Sequence, residues 1–375
     1  MQALSTRFDA VVIGGGLVGS AIAYGIAKGG LSVALLDEGD VAFRAARGNF
    51  GLVWVQSKGC GVPEYQRWTR LSADAWSGFA AELKDRTGID CAHQRPGGVS
   101  ICLTEPEFAS RERMLQQLRN EAGAAGFEFD MLEHDELAKI LPGLGPRVYG
   151  GAYTRYDGQA NPLYTLRALH AAIAQLGGSY FANAKVGTIK AAANNFEVTA
   201  GGAGWSAPRL VLAAGLGNRD LAPHIGLRVP VDPVRGQVIV TERVAPVLPM
   251  PTQTIRQTLE GGMMIGESRE DAGFDDNTSV NVLRKLAADA VTTFPYLADV
   301  RVVRSWAALR VMSADGLPVY QQSPQFPGAF IATCHSGVTL AAAHATSYAQ
   351  AIIEGRLPEM LARFSGNRFD VQAAA

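Results

Sequence analysis

A glycine-rich turn between an apolar strand and a helix constrains this chain more than any other feature. Residues 8–13 (FDAVVI) are mostly apolar and β-branched, as is typical of a strand buried in a parallel sheet. They lead into residues 14–19 (GGGLVG), a G-x-G-x-x-G turn, which is followed by an alanine-rich helix that ends at Gly29-Gly30. A second apolar strand over 31–36 closes on an acidic pair. This order of strand, turn, helix, strand and acid predicts a dinucleotide-binding βαβ unit.

Each glycine of the turn has its own predicted role. Gly14 allows the tight turn, Gly16 lets the backbone approach a pyrophosphate, and Gly19 lets the helix pack closely on the strand. Leu17 and Val18 begin the helix, whose free N–H groups and positive dipole end face the phosphates. We therefore expect these five residues to hold the phosphates of a dinucleotide.

The acidic end of the second strand narrows the choice of dinucleotide. Asp37 is placed to accept hydrogen bonds from the adenosine ribose hydroxyls, which disfavours a 2′-phosphate and hence NADP. The βαβ unit alone leaves both NAD and FAD open.

Residues 10–27 carry no charge, and the segment is long enough for a membrane span or a signal peptide. Their five glycines and β-branched beginning are explained better by the βαβ unit.

Length, charge and cysteine usage limit the class of protein. A chain of 375 residues, 47% of them apolar, favours two domains with a large core. The net charge of −1 provides no electrostatic footprint for nucleic acid or an acidic membrane surface. The four cysteines show no CxxC spacing, which argues against a metal site, an iron–sulfur cluster or a disulfide framework in this chain. A cytoplasmic protein without a transmembrane segment is therefore expected.

Seven further segments occur in a characteristic order along the chain. They are 44–53 (RAARGNFGLV), 97–103 (GGVSICL), 156–162 (YDGQANP), 210–215 (LVLAAG), 230–237 (PVDPVRGQ), 306–318 (WAALRVMSADGLP) and 331–339 (IATCHSGVT). Together they resemble the D-amino-acid oxidase-like flavoprotein superfamily, which includes glycine oxidase and sarcosine oxidase. The resemblance covers nearly the whole chain and implies that the dinucleotide is FAD.

The resemblance also implies a fold and a set of FAD contacts. The expected class is α/β plus α+β, with a Rossmann-like FAD-binding domain interrupted by a substrate domain that has a large mixed or antiparallel sheet. The FAD-binding domain is expected over 1–85, 145–225 and 305–375, and the substrate domain over 86–144 and 226–304. Beyond the βαβ turn and Asp37, the implied FAD contacts are Glu38, Gly39, Arg44, Ala46, Arg47, Asn49, Phe50, Gly51, Leu52, Val186, Ala214, Gly215, Ser336, Gly337, Val338 and Thr339.

Residues 47–54 and 333–339 resemble a narrower group within the superfamily. It comprises the flavin subunits of multi-subunit dye-linked dehydrogenases for opines (octopine or nopaline), for D-hydroxyproline and for hydrogen cyanide synthesis. This implies a β-type subunit that oxidises the C–N bond of a secondary amino acid by hydride transfer to the flavin. The implied partners are a larger flavin- or nucleotide-binding subunit and a small iron–sulfur subunit, which could bring the complex to a membrane.

An amino-acid substrate carries a carboxylate, for which a guanidinium is the natural ligand. Arg310 is the main candidate, because residues 309–310 resemble the segment that bears the carboxylate-binding arginine of glycine oxidase. Weaker candidates are Arg235, Arg256 and Arg269. The position of Arg235 beside a glycine is equally compatible with a purely structural role in a loop. His335 precedes the turn that resembles the flavin-contacting one, so it is either an active-site polar group or a structural brace.

Two departures from sarcosine-oxidase-like relatives concern flavin attachment and the electron acceptor. Residues 308–310 (ALR) stand where those enzymes have the cysteine that attaches the flavin, so non-covalent FAD is expected. The strand 262–266 (GMMIG) lacks their oxygen-activating lysine, which favours a dehydrogenase. Three alternatives stay open: a self-sufficient amino-acid oxidase using oxygen, a glycine dehydrogenase subunit of the hydrogen cyanide synthase type, and a non-catalytic subunit that binds a nucleotide.

Overall fold

A computed structural model describes residues 6–39 and 45–370 of the chain. In these ranges the strands are β1 (Thr6–Arg7), β2 (Ala10–Ile13), β3 (Val33–Leu36), β4 (Leu52–Val53), β5 (Gly98–Cys102), β6 (Asp130–Glu133), β7 (Gly150–Thr154), β8 (Gly158–Gln159), β9 (Ser179–Phe181), β10 (Thr188–Ala192), β11 (Asn195–Ala200), β12 (Ala203–Ala207), β13 (Leu210–Leu212), β14 (Val231–Arg243), β15 (Ile255–Gln257), β16 (Gly262–Ile265), β17 (Val302–Ser313), β18 (Val319–Gln322) and β19 (Ala329–Thr333).

The α-helices of the same ranges vary from one turn to the 25 residues of α2. The α-helices are α1 (Leu17–Lys28), α2 (Pro63–Thr87), α3 (Glu105–Glu121), α4 (His134–Ile140), α5 (Pro162–Gln175), α6 (Asn218–Leu221), α7 (Val280–Thr293), α8 (Ala341–Ala343) and α9 (Ala349–Glu354). A π-helical turn over His344–Tyr348 joins α8 to α9. Turns of 3₁₀ helix cover Gly123–Ala125, Gly215–Gly217, Ala222–Ile225, Pro295–Asp299, Glu359–Phe364 and Gly366–Phe369.

A six-stranded sheet in the order β18-β19-β13-β2-β3-β9 forms the centre of the cofactor-binding region. All neighbours pair in parallel except β18, which is antiparallel to β19. Strand β2 is buried on both faces, and its alternate residues enter different hydrophobic clusters: Val12 packs among the helices, whereas Val11 packs toward a second sheet. That second sheet, in the order β1-β12-β11-β10, completes a helix–sheet–sheet layering.

Local sequence signals set the helices that flank the parallel sheet. Asn161 caps α5 by accepting hydrogen bonds from the N–H groups of Leu163 (3.0 Å) and Tyr164 (3.2 Å), and Pro162 occupies the first helical position. Helix α2 ends at Gly88, whose φ of 71° is the left-handed conformation typical of a glycine after a helix.

Antiparallel sheets form the other part of the molecule. A four-stranded sheet in the order β15-β16-β14-β17 is built around the long pairing of β14 with β17, and β5-β7-β6 form a three-stranded sheet. A bridge between Val99 and Thr252 links the two sheets, and α7 contributes Leu286 and Ala290 to the cluster between them. This combination of a parallel and an antiparallel region agrees with the predicted fold class. The predicted domain boundaries stay a prediction; β17 runs across the one at 305.

The uncharged stretch over 10–27 is divided by the structure into β2, the glycine turn and most of α1. No helix among residues 6–39 and 45–370 is long and apolar enough to cross a membrane.

Candidate active site

A long groove runs along the carboxyl ends of β2, β3, β13 and β19. Ligands of open α/β sheets bind at this edge. The groove brings together predicted FAD contacts from both ends of the chain. They are Gly14, Gly16, Leu17, Val18, Asp37, Glu38, Gly39, Ala46, Asn49, Val186, Ala214, Gly215 and Gly337.

The glycine turn is shaped by contacts that a side chain would prevent. Gly14 has a φ of 109°, and a Cβ there would lie 2.4 Å from the carbonyl oxygen of Ala213. A Cβ on Gly19 would lie 1.9 Å from the carbonyl oxygen of Gly14, so Gly19 packs the helix on the turn and does not line the groove. Among the described residues, a Cβ at Gly16 would meet only Ala46 within 4 Å, at 3.5 Å, because Gly16 borders the groove. The turn therefore presents bare backbone to a ligand.

The N-terminus of α1 and Asp37 form the polar part of this groove. No side chain of the described residues caps α1, whose N-cap is Gly16, so its first N–H groups face the groove. The Asp37 carboxylate accepts hydrogen bonds from the N–H groups of Gly15 (2.7 Å) and Gly39 (3.0 Å). This carboxylate is held in place by backbone and keeps acceptor capacity toward the groove.

A second groove opens between the parallel sheet and the antiparallel sheets. It shares Ala45, Asn49 and His335 with the first groove, so the two are continuous. The predicted FAD contacts Phe50, Leu52, Ser336, Val338 and Thr339 line it. Arg47 and Gly51 line neither groove, and Arg44 lies outside the described residues.

Hydrogen bonds from α2 fix the turn over 336–339 between the grooves. Trp76 donates its indole N–H to the carbonyl oxygen of Val338 (2.9 Å), and Ser72 donates to that of Thr339 (2.7 Å). Tyr65 donates to the hydroxyl oxygen of Ser336 (3.1 Å). Because these partners are buried, the turn is a rigid platform at the junction of the grooves.

Arg310 lies in the second groove, and β14 determines how it lies there. In the β14–β17 pairing Arg310 is opposite Val234, and its guanidinium folds back over Gly236, two residues along β14. Its Nη1 donates to the carbonyl oxygens of Ser268 (2.7 Å) and Arg235 (3.3 Å), and its side chain is 19% exposed. Burial lowers the pKa of Arg310 from its usual value. The guanidinium is thus held by backbone and presents its remaining N–H groups near the groove.

The other arginine candidates differ from Arg310 in their partners. Arg235 forms ion pairs with Glu270 (2.8 Å) and Asp275 (2.5 Å) and does not line the groove, so it holds the adjoining loop. Arg256 is 4% exposed, donates to the carbonyl oxygen of Phe50 and also lies off the groove. Burial lowers its pKa to about 10. Arg269 lines the groove but pairs with Glu267 at 3.4 Å and is 61% exposed.

Comparisons with known proteins identify the family to which this chain belongs. The model of the DAO family, described as FAD dependent oxidoreductase, matches residues 9–351. An opine oxidase subunit of Rhizobium meliloti is 41% identical over 366 residues, which cover 98% of this chain and 99% of that protein. The chain belongs to the DAO family of FAD-dependent oxidoreductases.

More distant members of the DAO family share the whole fold. A glycine oxidase of Bacillus licheniformis is 26% identical over 92% of this chain and 93% of its own length. The crystal structure of glycine oxidase from Geobacillus kaustophilus matches with a TM-score of 0.87 at 25% identity, covering 96% of this chain and 98% of that one. The family, the fold class and the FAD cofactor predicted from the sequence are thereby confirmed.

The residues of this DAO-family chain fit FAD. Bare backbone at Gly16 would leave room for the pyrophosphate, and the Asp37 carboxylate would be placed to accept hydrogen bonds from a ribose. The first groove continues into the second at His335, which gives an elongated dinucleotide a place for its ring end. Segments from opposite ends of the chain would therefore hold the phosphate end and the ring end of FAD.

His335 lies at the junction in this DAO-family protein. Its Nδ1 is 3.5 Å from the Ser336 hydroxyl oxygen, and the residue is half-buried. Burial, together with the nearby cations Lys58, Arg310 and Arg269, lowers its pKa well below the usual value. The imidazole is therefore neutral at physiological pH.

Two cations of the second groove were missed by sequence reasoning. Lys58, on the turn after β4, and Arg111, on α3, both line the groove. For Lys58 a signal was present, since it closely follows the flavin-like segment 44–53 and stands beside Gly59. Arg111 gave no such signal, because it lies on a helix whose sequence is that of an ordinary polar surface.

Proposed function

We propose that this protein is an FAD-dependent dehydrogenase that oxidises the C–N bond of a secondary amino acid of the opine or D-hydroxyproline type. The observation that carries the proposal is a cationic groove, with Arg310 held by backbone carbonyls, that is continuous at His335 with the FAD groove. This arrangement suits a carboxylated amine next to a flavin ring. The opine oxidase subunit at 41% identity supports the substrate class.

The protein residues bind and orient the substrate in this proposal. FAD, when bound, supplies the hydride acceptor. Arg310 binds the substrate carboxylate through N–H groups that the carbonyl oxygens of Ser268 and Arg235 do not use. Holding the carboxylate fixes the α-carbon relative to the platform over 336–339, and such orientation supplies several kcal/mol of barrier reduction.

The charges of the groove also favour the reactive form of the amine. Hydride loss from the α-carbon needs the nitrogen lone pair, so the amine must be neutral. Lys58, Arg269 and Arg310 create a positive potential that disfavours an ammonium group nearby, and Glu267 offsets it only in part. His335, itself neutral, accepts the hydrogen bond of the amine N–H or its proton at a ring nitrogen.

We further propose that the protein works as a β-type subunit with non-covalent FAD in the cytoplasm. Similarity to one subunit of an opine oxidase implies partners, for which we propose a larger flavin- or nucleotide-binding subunit and a small iron–sulfur subunit. A dehydrogenase in such a complex passes its electrons to the partner. The self-sufficient oxidase stays as the second candidate, because Lys58 brings an amine into the groove although β16 lacks a lysine.

Anaerobic bleaching of the flavin tests the proposed function. The FAD-loaded protein is mixed with opines, D-hydroxyproline, D-amino acids and glycine, and the flavin absorbance is followed. We expect secondary amino acids to bleach the flavin and primary amino acids to bleach it only poorly. Slow reoxidation in air supports a dehydrogenase, whereas fast reoxidation with peroxide supports the oxidase. If no amino acid bleaches a fully loaded flavin, the proposal is wrong.

A further inference from the structure

The second groove carries more positive charge than one carboxylate can balance. Among residues 6–39 and 45–370, its charged lining residues are Lys58, Arg111, Arg269, Arg310 and Glu267, which are four cations and one carboxylate. Glu267 pairs with Arg269 at 3.4 Å and is 4.0 Å from Nη2 of Arg310. A substrate with a single carboxylate on Arg310 would therefore leave uncompensated cations in the groove.

Lys58 is a cation of this groove for which the described residues provide no paired carboxylate. Its side chain is half-buried, and within residues 6–39 and 45–370 its ammonium has neither a hydrogen bond nor a carboxylate within ion-pair distance. Burial and the nearby arginines Arg269 and Arg310 lower its pKa, whereas Glu267 opposes this. Burying a charge without a partner is costly, so such an ammonium is stabilised when an anion enters the groove.

The backbone of Lys58 is held in place before a ligand arrives. The N–H groups of Ser57 and Lys58 both donate to the carbonyl oxygen of Val55, at 2.8 and 2.9 Å. The buried carboxylate of Asp157 accepts from the N–H of Val55 (2.5 Å) and from the amide of Gln56 (2.7 Å). The backbone of Lys58 is thus already ordered, so only the lysine side chain has to become ordered when an anion binds.

We propose that Lys58 binds a second carboxylate of the substrate, and that the protein acts on secondary amines that carry a carboxylate on each side of the nitrogen. This inference rests on the proposed function and decides between its two substrate types. An opine has two such carboxylates, whereas D-hydroxyproline has one. Arg310 then binds the acid next to the oxidised carbon, and Lys58 binds the acid on the other arm.

Two pairs of small molecules that differ by one carboxylate test this inference. Diglycolate and methoxyacetate carry an ether oxygen in place of the amine, so their binding is measured from the flavin absorbance without turnover. Iminodiacetate and sarcosine are the corresponding amines, and their anaerobic reduction of the flavin is measured in parallel. The variants are Lys58→Met, which keeps the length without the charge, and Lys58→Arg. Lys285→Met, on the exposed side of α7, is the matched control.

We expect the wild-type protein to bind diglycolate at least about tenfold more tightly than methoxyacetate, because a charged hydrogen bond contributes a factor of about 10 to 100. Lys58→Met should weaken the binding of diglycolate by about 10- to 100-fold and change the binding of methoxyacetate by less than about threefold. Lys58→Arg should restore most of the difference, and Lys285→Met should change neither ligand. Unchanged flavin content and melting temperature show that the variants are folded.

The inference is overturned if the wild-type protein does not distinguish the two ethers, or if Lys58→Met weakens both equally. It is also overturned if Lys58→Met alters only reoxidation in air, which would assign Lys58 to oxygen activation. Failure of the proposed function gives a different result: the ethers are distinguished through Lys58, but no amine reduces the flavin.

Discussion

Substituting Gly236 by alanine should damage the proposed substrate site by displacing the side chain of Arg310, without replacing that side chain. A Cβ at this position would lie 2.1 Å from Nη1 of Arg310, 2.5 Å from its Cζ and 2.6 Å from its Nη2. Ordinary contact begins at 3.4 Å, so the guanidinium must move by about 1.3 Å (3.4 − 2.1). Because the guanidinium is the end of a flexible side chain, it can move while the fold is kept.

This displacement of the guanidinium should weaken substrate binding more than it lowers the free energy of unfolding. A shift of this size breaks the 2.7 Å hydrogen bond from Nη1 to the carbonyl oxygen of Ser268 and turns the remaining N–H groups away from the substrate. Misplacement by about 1 Å can cost about 100-fold in rate, and removal of an ionic hydrogen-bonded partner costs about 2–5 kcal/mol. We therefore expect Gly236→Ala to weaken substrate reduction of the flavin by about 10- to 100-fold, approaching the effect of Arg310→Ala.

Anaerobic stopped-flow reduction over a range of substrate concentrations measures this effect. Gly78→Ala is the matched control, because a Cβ on Gly78 in α2 meets no atom of the described residues within 4 Å. Flavin content should stay at the wild-type value in all three variants. The reasoning is refuted if Gly236→Ala keeps the wild-type concentration dependence while Arg310→Ala loses it. If Arg310→Ala also keeps it, Arg310 is not the carboxylate ligand.

Two further predictions concern flavin attachment and acid stability. Cys334 lines the FAD groove, and burial raises the pKa of its thiol to about 12, so acid precipitation should release all FAD into the supernatant; a yellow pellet that Cys334→Ser makes colourless would contradict this. Burial lowers the pKa of His93 to about 4 and that of His344 to about 3. Both histidines then bind a proton in the unfolded state before the folded state does. The free energy of unfolding should therefore decrease as pH falls from about 6.5 toward 4, by about 1.4 kcal/mol per pH unit for each histidine. Denaturant unfolding at several pH values should show a shallower decrease for His344→Gln, and an unchanged slope would assign the acid sensitivity to other groups.

The cofactor site could largely be predicted from the sequence because its signals are local. The turn over 14–19 needs glycine where it packs against Ala213 and where a pyrophosphate would approach. The spacing of the glycines in the sequence indicates both positions directly. Asp37 follows its strand immediately, so its place at the carboxyl edge of the sheet is decided by the strand itself. The resemblance of the later segments then distinguished FAD from NAD, which the βαβ unit by itself could not do.

The second groove, where we propose that the substrate binds, depends on contacts between distant parts of the chain, which only the tertiary structure decides. The sequence ranked Arg310 above Arg235 only through the resemblance of residues 309–310 to glycine oxidase, and it indicated no contact partner for either arginine. The pairing of β14 with β17 lays Arg310 over Gly236, whereas folding of the following loop gives Arg235 the carboxylates of Glu270 and Asp275. Lys58 is far from Arg310 along the chain, and no local pattern reports that both line one groove. The charge of a binding site is a sum over residues that folding brings together, so a single segment cannot show it.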